Sequence, residues 1–188
     1  MLKCLNVKMM KRGFTLIEML VAVTMFGIVV GAISGLFIST IQGQSRILAT
    51  QKGLDEASYI MEYMSRALRM ARKDLNGTCI PAKTNYKAIT NGIKFIDYHG
   101  VCTEFSLNTV TDQLEKTANG TTLPMTSTDL RINSFNVKLL GENQPPTDNL
   151  QPRATIFLEM ESKKPAPGAP PKIQIQTSVS QRNLDIQY

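Results

Sequence analysis

From Met19 to Ile41 the chain carries no charged residue, and an apolar run of about 20 residues crosses a bilayer core of about 30 Å as a helix. The run can therefore rest in a membrane. Lys3, Lys8, Lys11 and Arg12 precede it, and no acidic residue comes before Glu18. That asymmetry holds the leader in the cytoplasm and sends the C-terminal part across. Glu18 is the anomaly. A carboxylate near the end of a membrane span costs on the order of 2 to 3 kcal/mol or less, depending on depth, and such residues tend to be functional.

The stretch Lys11-Arg12-Gly13-Phe14-Thr15-Leu16-Ile17-Glu18 and the apolar helix after it resemble the start of type IV pilins and of the pseudopilins of type II secretion systems. The resemblance implies that a membrane-embedded prepilin peptidase cuts between Gly13 and Phe14 and methylates the new amine of Phe14. It also gives Glu18 a partner. The cation at Phe14 of its own or a neighbouring subunit neutralises the carboxylate during assembly, an attraction that is strong at low dielectric. The plain alternative is that Glu18 snorkels to the headgroups. Gly27, Gly31 and Gly35 recur every four residues and so share one helix face, a doubled small-residue motif that lets membrane helices approach closely. Family members pack these helices in a filament core, although membrane helices also tolerate glycine for no special reason.

With 188 residues there is room for one compact domain besides the helix. The formal charge of +6 does not point to nucleic acid, because removing the four leader cations from 21 basic residues leaves 17 against 15 acidic, a net of +2. A secretory signal peptide fits poorly: the apolar run is long, and no small-x-small site ends it. Cys4 falls in the leader, whereas Cys79 and Cys102 lie in the exported part, where a disulfide can form. Closing that loop of about 20 residues would stabilise the fold by roughly 3 kcal/mol, and two free thiols remain the other reading.

Leu54, Ala57, Met61, Met64, Leu68, Ala71 and Leu75 follow helical steps of three and four, the mark of a helix with one buried stripe. The helix is expected to run from Phe14 to Leu75, about 90 Å at 1.5 Å per residue, with Asn76-Gly77 as its stop. Arg66, Arg69, Arg72 and Lys73 gather toward that end, where cations suit the helix dipole. Beyond it, Gly92–Ile96 and Val101–Leu107 flank the turn Asp97–Gly100 as a hairpin. Alternation predicts further strands over 130–140, 154–161 and 172–180, with one wet and one packed face. Gly141–Pro152 and Ser162–Pro171 are polar, proline-rich connections. The fold class is α+β: a long N-terminal helical spine, membrane half plus amphipathic half, packed on a small antiparallel β-sheet ectodomain. Its parts are a leader (1–13), a membrane or filament-core helix (14–41), the amphipathic half of the spine (42–76) and the ectodomain (77–188).

His99, the only histidine, sits in a predicted turn without a second ligand nearby in sequence, so no zinc site is expected. No nucleophile elbow, calcium loop or phosphate-binding glycine loop is evident, and neither an enzyme nor a cofactor is expected. The segment Gln176–Asn183 is similar to the final strand of minor pilins and J-type pseudopilins. The resemblance thus implies a minor subunit that initiates, joins or caps a type IV pilus or type II secretion pseudopilus. It would be a single-pass protein of the bacterial inner membrane with its C-terminal domain outside the cytoplasm. Its partners would be the prepilin peptidase, other major and minor pilins or pseudopilins, the inner-membrane assembly platform and the membrane itself. Ile47 and Ile60 would be free for partner helices, while Leu54, Met61, Met64 and Leu68 would face the chain's own sheet. A competence-type pilin that binds and takes up DNA is the alternative, and only there is nucleic acid a partner.

Overall fold

The computed structural model describes residues 13–143, 150–163 and 170–182. The leader residues up to Arg12 and most of the two proline-rich connections lie outside the described residues. The chain divides between Gly43 and Gln44 into two compact units, which are taken in turn. One helix, α1 (Leu16–Arg69), contributes to both.

In the first unit every described residue is exposed. Bulky apolar side chains cover all sides of this part of α1, among them Phe26 at 70% and Leu36 at 71% exposure. Hydroxyls within the run are turned back onto the backbone. Thr24 donates to the Val21 carbonyl at 2.9 Å, Ser34 to Val30 at 2.8 Å and Thr40 to Leu36 at 2.9 Å. These groups are satisfied inside the helix, as a hydrocarbon environment requires.

In the second unit the buried stripe of α1 is Gly53, Ala57, Ile60, Met61, Met64 and Leu68. It is wider than the sequence expectation. A helix lying on a globular core buries a band of about 100°, which takes in positions beside the narrow seam of alternating threes and fours. Ile60, expected to be free for partners, is fully buried, and Leu54, expected to pack, is 44% exposed. Gly53 replaces Leu54 because the backbone comes so close to the sheet that a Cβ there would stand 2.5 Å from Ile173 Cδ1.

The helix also stops earlier than expected, at Arg69 rather than Leu75, because the following backbone is taken by other partners. Arg72 N donates to the Ile96 carbonyl at 2.8 Å, and Asp74 forms a bridge with Thr84. Carbonyls at and just beyond the last turn, which a helix cannot all satisfy internally, accept from far along the chain. Tyr86 Oη donates to Leu68 O at 2.7 Å, Arg182 N to Arg69 O at 2.8 Å, and the buried Gln181 side chain to Ala71 O at 2.6 Å. Leu75 is accordingly exposed, and Gly77 uses its positive φ of 74° in a later loop.

The expected single sheet is two. Strands β1 (Lys87–Ile89), β2 (Gly92–Ile96), β3 (Cys102–Asn108), β4 (Gln113–Ala118) and β5 (Thr121–Pro124) form an antiparallel meander in that order. Strands β6 (Leu130–Leu140), β7 (Arg153–Ser162) and β8 (Lys172–Ser180) form a second, with β6 lying beside β1–β4. In β6 the buried residues run Leu130, Ile132, then Phe135, a step of three that would flip the face of a regular strand. A register shift between Ile132 and Ser134 absorbs the extra residue and keeps all three side chains inward. In β7, Ala154, Ile156, Leu158 and Met160 are buried. These residues, the helix stripe, and Ile93, Phe95, Phe105 and Leu114 of the first sheet form a single core.

Candidate processing and assembly site

The start of α1 is set by a reciprocal contact between Thr15 and Glu18. Glu18 N donates to Thr15 Oγ1 at 3.3 Å, while Thr15 N donates to Glu18 Oε2 at 3.4 Å. This Thr-x-x-Glu arrangement is a capping box, which satisfies two of the otherwise open N–H groups of a helix start. It also places a carboxylate in the first turn, where the helix dipole favours it. The sequence pattern was visible, but reading Glu18 only as an assembly residue missed its local use. Because the box fixes the helix start, Gly13 and Phe14 precede the helix, and both are exposed, Phe14 at 80%. The Gly13–Phe14 bond is thus accessible and free of helical hydrogen bonds.

Further along, a Cβ added at Gly27, Gly31 or Gly35 would meet no atom within 4 Å. None of the three is required by the isolated chain, so these positions are open to a close neighbour.

In the second unit Cys79 and Cys102 are disulfide-bonded, with Cα atoms 5.5 Å apart. Asp74, which the sequence reading did not single out, organises the loop that carries Cys79. Its carboxylate accepts from the backbone N–H groups of Asn76, Gly77, Cys79 and Ile80 at 3.1, 2.8, 2.7 and 3.1 Å. Burial alone would raise its pKa. The donors of Cys79, Ile80, Thr78 and Gly77 outweigh burial and hold the carboxyl well below the usual aspartate range. The signal in the sequence was Asp74-Leu75-Asn76-Gly77, an aspartate followed by turn formers. His99 stands exposed at the β2–β3 turn, its ring 3.7 Å from that of Tyr98. Among the described residues no group of three or more His, Cys, Asp or Glu is arranged to hold a metal ion.

Residues 8–34 match the family model described as the prokaryotic N-terminal methylation motif. No curated protein and no solved structure is significantly similar to the chain. The matched segment contains Gly13, Phe14, Thr15 and Glu18 and extends into a helix long and apolar enough to cross a membrane. The motif is the hallmark of type IV pilins and pseudopilins and points to a structural subunit, and the long helix packed on antiparallel sheets is a pilin-like arrangement.

Proposed function

We propose that the protein is a minor pilin or pseudopilin. It is inserted in the inner membrane with its C-terminal domain outside the cytoplasm, cut after Gly13, methylated at Phe14, and built into a filament that it initiates, joins or caps. The observation that carries this reading is one carboxylate, Glu18, at the head of a helix otherwise uncharged to Ile41 and uncovered on every side. Such a helix needs lipid or other helices around it, and Gly27, Gly31 and Gly35 offer a face for close helix packing. The prepilin peptidase, other pilins or pseudopilins and the inner-membrane assembly platform are its partners on this reading.

The test separates the two uses of Glu18. Glutamine also serves at the third position of a capping box, so Glu18→Gln keeps the helix start and removes only the charge. Mass spectrometry of membrane-extracted wild type is expected to give a chain beginning at methylated Phe14. Glu18→Gln and Glu18→Val are both expected to reach the membrane yet to enter filaments at least tenfold less than wild type. Full assembly of Glu18→Gln would reject the charge-registration role, and an uncut chain beside an active peptidase would reject the pilin reading.

A further inference from the structure

A half-open cleft of about 430 Å³ lies in the second unit between the C-terminal turns of α1 and the first sheet. That volume is in the range of sites that take a small ligand or a side-chain anchor. The side chains that line it combine aromatic surface with two cations, Arg66 and Lys116, and one carboxylate, Asp97. Tyr63 stands edge-on to Phe105 with ring centroids 6.1 Å apart. The exposed Tyr98–His99 pair, its ring centroids 3.7 Å apart and its planes tilted by 40°, forms another lip. That lip is held in shape by Asp97, whose Oδ1 accepts from His99 N at 2.9 Å and Val101 N at 2.8 Å. Asp97 keeps its negative charge, but its Oδ1 is engaged by the backbone of its own turn.

Lys116 is half-buried at the cleft wall, its Nζ donating to Tyr63 Oη at 2.6 Å and lying 5.3 Å from the Tyr63 ring centroid. Among the described residues it has no carboxylate partner. A tethered ammonium beside aromatic rings and short of a counter-ion favours an anion with apolar or aromatic surface next to it. We propose that the cleft binds a short segment of a partner protein that presents an aromatic side chain beside a carboxylate.

Two observations favour a peptide over other ligands of that chemistry. A second hollow of about 140 Å³, bordered by Tyr59 and Glu62, shares Tyr63 and Arg66 with the cleft. The surface therefore continues along the helix face through Tyr59, Tyr63 and Arg66, longer than a compact metabolite needs. Tyrosine and arginine are also the residues that dominate protein-binding hot spots. Single-stranded nucleic acid is disfavoured because its backbone wants a continuous basic track. Here Arg66 is already paired with Glu62, whose side chain borders the smaller hollow.

The site is independent of the membrane helix, so its failure would leave the filament reading untouched, and the reverse. The experiment uses the full chain in detergent micelles and a dye-labelled tetrapeptide of sequence tyrosine, glutamate, phenylalanine, aspartate, read by fluorescence anisotropy. Saturable binding is expected, weakened at least tenfold by Lys116→Met and by Tyr63→Leu. The same loss is expected for a probe whose acids are replaced by their amides, a comparison that needs no protein variant. Absence of saturable binding up to millimolar probe, or equal affinity of Lys116→Met with an unchanged melting curve, would overturn the proposal. Stronger binding of oligothymidylate with the same sensitivity to Lys116→Met would replace the peptide with nucleic acid.

Discussion

Two parts of one helix, residues 16–43 and residues 53–68, are held in the helical state by different forces. The first is apolar on every side and exposed throughout, and its Thr24, Ser34 and Thr40 hydroxyls bond back onto the helix backbone. The second is polar on most of its surface and buries a single band in the ectodomain core. Isolated helices are marginal in water, so the second half owes its stability to tertiary packing. The first owes its stability to surroundings without water, where every backbone group must bond within the segment. A substitution should therefore act on folding in one half and on membrane residence or assembly in the other.

The largest expected effect comes from placing a carboxylate in each half. Met64 is fully buried in the core cluster, and an unpaired charge there costs upwards of about 4 kcal/mol. Met64→Asp should yield an ectodomain that melts at least about 10 °C lower, or one that does not fold. Val29→Asp should leave that melting transition where it was while depleting the protein from membranes, since aspartate at mid-span costs about 3 kcal/mol. Calorimetry and membrane fractionation of both variants check the pair. A loss of ectodomain stability in Val29→Asp would erase the distinction between the halves.

A smaller effect is expected at the loop that follows the packed half. Asp74→Asn keeps one acceptor but turns the other into a donor facing the N–H groups of Cys79 and Ile80. Two such donors, Ile80 N buried and Cys79 N half-buried, left without acceptors cost on the order of 2 to 5 kcal/mol together. The pH dependence has a definite sign. The folded-state pKa of Asp74 is depressed, so its contribution is complete above the unfolded value of about 4 and is lost as pH falls below it toward the folded value. The stability gap between wild type and Asp74→Asn should therefore narrow as pH drops below about 4. Denaturant unfolding at a series of pH values would show it, and a gap that widened on acidification would contradict the assignment.

The halves also differ in how well the sequence announces them. The membrane half was legible because hydrocarbon forbids charge, so Glu18 and the flanking cations stand out one residue at a time. The packed half was legible as helix but not in its boundary, since Leu75 fits the period and only the distant partners Ile96, Thr84, Gln181 and Arg182 decide where the helix ends. Strands β2, β3, β6, β7 and β8 showed in their alternation. Strands β1, β4 and β5 did not. Gln113–Ala118 is rich in helix-favouring residues and buries only Leu114, and Thr121–Pro124 buries nothing. Cross-strand pairing overrides propensity there. One signal was present and unused: Asn119-Gly120, with φ of 53° and 76°, is the strongest short hairpin marker. In the candidate site, Gly13, Phe14 and Glu18 followed from the motif, whereas the work of Thr15 and Asp74 depends on hydrogen bonds that spacing alone does not rank.

The smallest expected effect is the sharpest probe of the comparison, because one chemical change should have opposite signs in the two halves. Replacing glycine by alanine in a helix interior is intrinsically favourable by about 1 kcal/mol. At Gly53 the new methyl would stand 2.5 Å from Ile173 Cδ1. That atom ends a flexible side chain, so the clash is relieved by a rotamer change of an 8% exposed residue on β8 rather than by moving backbone. Overpacking of this kind costs roughly 1 to 3 kcal/mol, which outweighs the helical gain and lowers the melting temperature by a few degrees. At Gly31 the methyl meets nothing within 4 Å. The isolated subunit keeps its ectodomain stability, and the gain in helix propensity is unopposed. If the Gly27-Gly31-Gly35 face packs against neighbouring helices, Gly31→Ala should nevertheless assemble less well, because the added methyl pushes the neighbour outward. Melting curves of both variants and filament yield of Gly31→Ala read the two signs separately. Undiminished filament yield of Gly31→Ala would remove the glycine face from the assembly reading, and an unshifted Gly53→Ala would show that β8 yields more readily than the close contact implies.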